Sequence, residues 1–149
     1  MFMAYELALN QDIQQKLYKE KMTYMDMVVS ESLRMWPVPL IDRLCVRDYS
    51  FDEGEGLKFT IEKGACLWFP VHGIHHDAKY YPDPSKFDPE RFSEANKGQI
   101  NTSAYLPFGV GPRNCIRSRL ALMKIKAIMY QLMLDFKFER TEKTQDRYS

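Results

Sequence analysis

Phe108-Gly109-Val110-Gly111-Pro112-Arg113-Asn114-Cys115 places two glycines and a proline just before a cysteine, and the residues after that cysteine decide the fold. Ala121, Ile125, Ile128, Met129, Leu132 and Phe136 recur at helical spacing, so the pattern predicts a helix beginning near Ser118. A tight loop therefore delivers a thiol to a helix amino terminus. There the helix dipole and unpaired amide hydrogens favour the thiolate, the form of cysteine that ligates metal. Glycines also let the loop backbone approach a flat group that side chains would hold away. A cysteine in a glycine-rich turn is ordinarily just a small buried residue; here the spacing of the whole segment favours a ligand.

Upstream, Asn10 is expected to cap a helix over 11–19, with Ile13 and Leu17 on one face. Thr23 and Asp26 make an approximate capping box for a second helix running to about Trp36, where Pro37 and Pro39 end it. Residues 44–49, 57–61 and 65–71 are rich in β-branched and aromatic side chains and separated by turn residues, which predicts a small antiparallel β portion. Pro82, Pro84 and Pro89 break any period over 77–92, so that stretch is expected to be ordered loop. The fold class is thus mainly α with a small antiparallel β portion, and residues 1–149 are expected to be part of one domain.

Bulk properties exclude more than they assign. With 21 basic and 20 acidic residues and a net charge of +1, the chain carries no nucleic-acid footprint. Cys45, Cys66 and Cys115 are odd in number and far apart, which suits free thiols in a reducing compartment. The longest apolar stretch, 65–71, is far short of the roughly 20 residues that span a bilayer, and the amino terminus does not read as a signal peptide. As written, the chain is expected to be soluble and cytosolic.

Phe108, Gly111, Arg113 and Cys115 resemble the ligand signature of the cytochrome P-450 family, and two further marks occur in the family's order. Glu31-Ser32-Leu33-Arg34 resembles its Glu-x-x-Arg, and Pro89-Glu90-Arg91-Phe92 its Pro-Glu-Arg-Phe segment. The wording is most similar to the insect microsomal branch, over nearly the whole chain. The resemblance implies the C-terminal part of that fold, incomplete, with Cys115 as axial ligand to haem b (iron protoporphyrin IX). It implies Arg113 and Arg43 as propionate partners, a structural triad of Glu31, Arg34 and Arg91, and Val38, Pro39, Leu40 and Ile41 on the substrate side. It further implies a haem-dependent monooxygenase that oxidises apolar small molecules with O2 and electrons passed from NADPH by a reductase. That enzyme would sit on the endoplasmic reticulum facing the cytosol, held by an anchor outside this sequence. No catalytic residue is assigned within the chain itself.

Departures from the family pattern motivate a second reading. Arg117 stands where the family carries glycine, and is expected to crowd the junction of helix and macrocycle unless it turns to solvent. Lys124 reverses a charge usual in this helix, and Lys21 alone replaces a longer connection. By the resemblance, the chain is expected to begin after the family's oxygen-activating helix and to depart at 146–149 from where the family continues. The alternative is accordingly a non-catalytic remnant that binds haem weakly or not at all. Arg119, Lys124 and Lys126 form either a reductase-docking surface or a plain solvated face. A third possibility is a zinc module built from Cys66, His72, His75 and His76, whose spacing is irregular.

Overall fold

The structure, a computed structural model, describes residues 2–20, 22–52, 54, 56 and 58–144. Lys21 and residues 146–149, on which two of the expected departures fall, lie outside the described residues. Among the described residues, five α-helices, α1 (Phe2–Leu9), α2 (Gln11–Glu20), α3 (Met22–Met35), α4 (Val71–His75) and α5 (Ser118–Asp135), accompany four short strands. The strands are β1 (Ile41–Leu44), β2 (Tyr49–Asp52), β3 (Lys58–Ile61) and β4 (Cys66–Phe69). The expected class, mainly α with a small antiparallel β portion, is the one observed.

The junction of α1 and α2 corrects the expected cap. Asn10 turns back, its Nδ2 donating to the Glu6 carbonyl at 2.9 Å, while Gln11 Nε2 donates to Ala8 O and Gln14 Nε2 to Leu7 O. These side chains satisfy the orphan carbonyls of α1, a helix that the sequence pattern does not announce, instead of the amides of α2. Thr23 likewise lies inside α3 rather than before it, and the Asp26 carboxylate meets Lys126 Nζ on α5 at 2.8 Å.

β1 pairs antiparallel with β4, Ile41 opposite Phe69, and β2 with β3, Tyr49 opposite Ile61. The strand expected over 44–49 is instead the link between two separate ribbons. Cys45 still exchanges backbone bonds with Ala65 and Gly64, but Asp48 Oδ1 then takes the Lys63 amide at 2.8 Å, and a side chain in place of the ladder breaks the strand. The run 65–71 also stops early: Pro70 has no amide to give a ladder, and the chain turns into α4 at Val71. Within the expected loop, Pro89–Phe92 forms a 3-10 turn, its Asp88 cap accepting from the Glu90 amide.

The core lies among the helices. Met3 and Leu7 of α1, Ile13 and Leu17 of α2, Tyr24, Met25, Val28, Val29 and Met35 of α3, and Met129 and Met133 of α5 are buried together with Phe87. Among the described residues, no helix is long and apolar enough to cross a membrane.

Candidate functional site

Two constellations stand out: a buried ionic cluster on α3 and an exposed thiol loop before α5. In the first, a spacing of three puts Glu31 and Arg34 on one face of α3, and both side chains are fully buried. Arg34 grips the carboxylate with both edges of its fork, Nε to Oε2 at 2.7 Å and Nη2 to Oε1 at 2.9 Å. Burial raises the Glu31 carboxyl above its usual range, against the hydrogen bonds and charge of Arg34, the Asp88 amide and the charge of Arg91. Arg34 also spans the chain, donating to the carbonyls of His75 and Pro84 at 2.8 and 2.9 Å. A pair so enclosed contributes little beyond a packed apolar equivalent, yet removing one partner would strand a buried charge, a loss of roughly 3–5 kcal/mol.

Arg91, the third residue of the expected triad, stands near this pair without hydrogen-bonding to it. Its Nε lies 3.7 Å from Glu31 Oε1, too long for a hydrogen bond, and its Nη2 donates to Asp83 O at 2.9 Å. The 3-10 turn of Pro89–Phe92 and the Asp88 amide, 2.9 Å from Glu31 Oε1, hold Arg91 there.

Sequence reasoning missed the aromatic side of this cluster. His75 is fully buried, stacked on Tyr105 at 5.7 Å and edge-on to Tyr81 at 6.1 Å. Its Nδ1 faces Arg34 O at 3.1 Å, and its Nε2 accepts the Leu106 amide at 2.8 Å. An imidazole whose Nε2 accepts must carry its proton on Nδ1. Tyr105 donates to Ser30 O and Tyr81 to Ala104 O; burial pushes Tyr81 up to about 12 and Tyr105 further up. The only available sign was the run of histidines at 72–76, and it suggested zinc. Both nitrogens of His75 are engaged with the main chain, and among the described residues no group of three metal-ligating side chains comes together.

The second constellation is the loop before α5. Gly109 and Gly111 take φ of +77° and +75°, where a side chain is strained. A Cβ on Gly109 would touch Ile41 Cδ1 at 3.5 Å, whereas Gly111 faces open space, so its backbone angle alone asks for glycine. The chain folds back so that the Cys115 amide donates to Phe108 O at 2.9 Å, and Ser118 N then reaches Cys115 O at 3.2 Å as α5 begins. Cys115 is a free, exposed thiol, and Ile116, next to it in the chain, is 95% exposed.

Arg43 on β1 comes to the same loop, its Nη2 pointing to Arg113 O at 3.4 Å. Val38 and Leu40, beside them in the chain, are 62% and 37% exposed. Arg117 caps α5 at φ −98°, a conformation open to any residue, and is exposed. On α5, Arg119 and Lys124 are exposed, and Lys126 pairs with Asp26.

The donor set fits a haem group: a free thiol in the open, a loop thinned by two left-handed glycines, and the Arg43 guanidinium set against that loop at the Arg113 carbonyl. Comparison with known proteins agrees with the motifs. The family model for Cytochrome P450 matches residues 1–149. Among curated proteins, Cytochrome P450 9b2 of Drosophila melanogaster is 45% identical over 161 residues, covering 94% of this chain and 32% of the relative. Cytochrome P450 9e2 of Blattella germanica is 44% identical over 162 residues, covering 96% and 30%, and Cytochrome P450 6j1 of the same species 40% over 163, covering 97% and 32%. The chain thus spans about a third of the length of the curated relatives it matches. The aligned stretch of 161 positions exceeds the 149 residues of the chain, so the relative holds residues inside it that this chain lacks.

Proposed function

The chain belongs to the cytochrome P450 family, and on that premise we propose that it is the haem-thiolate part of a monooxygenase, in which Cys115 would hold the iron through its sulfur. One observation carries the reading: the free, exposed Cys115 thiol at the amino end of α5, delivered by a loop whose two glycines are left-handed. Bound there, haem b would supply an iron able to activate O2 for insertion of one oxygen atom into an apolar small molecule, with electrons from NADPH passed through a reductase. The residues of this chain hold and orient. Cys115 would supply the sulfur, Arg113 and Arg43 the charge for the two propionates, Phe108 and Gly111 the shape of the loop, and the triad of Glu31, Arg34 and Arg91 the rigid support. Val38 and Leu40 leave apolar surface open on the substrate side. Attachment to the endoplasmic reticulum, cytosolic face, would come from parts of a longer protein.

A second reading, a non-catalytic remnant that binds haem weakly or not at all, is favoured by the residues its relative holds inside the matched stretch and this chain lacks. One experiment separates the two. The purified chain, reduced, mixed with haem and placed under carbon monoxide, should give the Soret band of a thiolate-ligated complex; Cys115→Ser should lose it and Arg117→Gly should keep it. No such band in either the wild type or Arg117→Gly would favour the remnant, and a band that survives Cys115→Ser would end the ligand assignment.

A further inference from the structure

We propose that His75 is the positioning residue that fixes the thiol loop to the buried Glu31–Arg34 pair, acting as the neutral Nδ1–H tautomer through the main-chain amide of Leu106. Three connections carry this. Toward α3, Nδ1–H donates to Arg34 O while Arg34 Nη1 donates back to His75 O, so helix and imidazole are tied twice. Toward the loop, Nε2 accepts the Leu106 amide at 2.8 Å in a buried setting. From Leu106 the tie continues at once: its carbonyl accepts the Gly109 amide at 3.3 Å, and Phe108 O accepts that of Cys115 at 2.9 Å. Leu106 is thus held by His75 at its amide and holds the first left-handed glycine at its carbonyl.

Chemistry makes the imidazole specific here. The position needs a donor on one side and an acceptor on the other, across a flat ring wedged between Tyr105 and Tyr81. Burial favours the neutral ring, and so do the charges of Arg34, His76 and His72. Arg34 approaches from α3, His72 and His76 from the imidazole's own α4, and the tyrosines face it as uncharged phenols. Protonation would put a hydrogen on Nε2 against the Leu106 N–H and release the loop from α3.

The functional weight of this tie rests on the reading of Cys115 as a ligand, but its test needs no haem. In the full chain, amide exchange would be followed by NMR in wild type, His75→Ala and His75→Gln, where glutamine can keep an acceptor for Leu106. His75→Ala should speed exchange at Leu106, Gly109 and Cys115 by about tenfold or more, with Met25, Val28 and Val29 of α3 within about twofold, and glutamine should restore most of the protection at Leu106. In the wild type, ring 15N shifts should place the proton on Nδ1. Unchanged exchange at Leu106, equal loosening of α3, a glutamine variant no better than alanine, or a proton on Nε2 would each overturn the proposal; the last holds even if the variants do not fold. Cys115→Ser should leave the exchange pattern intact, so failure of the ligand reading and failure of this one give different results.

Discussion

At His75 a titratable ring is buried without a counter-ion, which is tolerable only because both nitrogens meet main-chain partners. Burial lowers its pKa from 6.5 to about 4, opposed by the Arg34 carbonyl and assisted by the Arg34 charge. An unfolded chain takes the proton near 6.5 and the folded one only near 4, so between them the unfolded state binds more protons and stability rises with pH. The contribution is complete above about 6.5 and disappears as pH falls toward 4, up to about 3 kcal/mol. Glu31, raised by burial, acts with the opposite sign above its ordinary value of 4.5, favouring the folded state at lower pH. In urea unfolding from pH 7 to 4.5, wild type should therefore lose more stability on acidification than His75→Gln does. Identical slopes would mean that the ring does not titrate between the two states.

At the scale of elements, α5 is held on α3 by two kinds of contact of very different strength. Lys126 and Asp26 meet at 2.8 Å, but the carboxylate is 63% exposed, and such pairs contribute at most about 1 kcal/mol. Met129 and Met133 instead enter the common core, 8% and 6% exposed. Met133→Ala should cost about 2–5 kcal/mol in urea unfolding, Asp26→Asn under about 1 kcal/mol, and the reverse order would show that α5 is held by charge. The same distinction explains what the sequence disclosed. α2, α3 and α5 were legible because a buried stripe repeats at 3.6 residues and prolines mark an end, and Cys115 because its loop needs glycine at set positions. The five-residue α4 is too short for a period. Asn10 read as the wrong cap because its side chain can serve either neighbouring helix. His75, Tyr81 and Tyr105 bind main-chain groups, some of them far off in sequence, and a backbone amide or carbonyl leaves no mark in side-chain identity.

Over the whole molecule, cohesion is uneven. Among the described residues, the buried cluster draws on α1, α2, α3, α5 and Phe87, and on no residue of β1 to β4. Most strand residues are exposed, with Trp68 at 69% and Leu44 at 66%. The ribbon of β2 and β3 depends on its own pairing and on Phe51 stacked over Phe59 at 5.1 Å across the register. Such a pair adds about 0.5–1.5 kcal/mol beyond its buried area, far below what global unfolding requires. Opening should then be hierarchical: amides of β2 and β3 exchange by local opening, and those of Met25, Val28 and Val29 in α3 only when everything unfolds. Phe59→Ala should hasten exchange throughout this ribbon yet leave α3 exchange and the urea midpoint within error. A midpoint that moves with the ribbon would instead make helices and strands one cooperative unit, and Arg43 on β1 would then share the rigidity of α3.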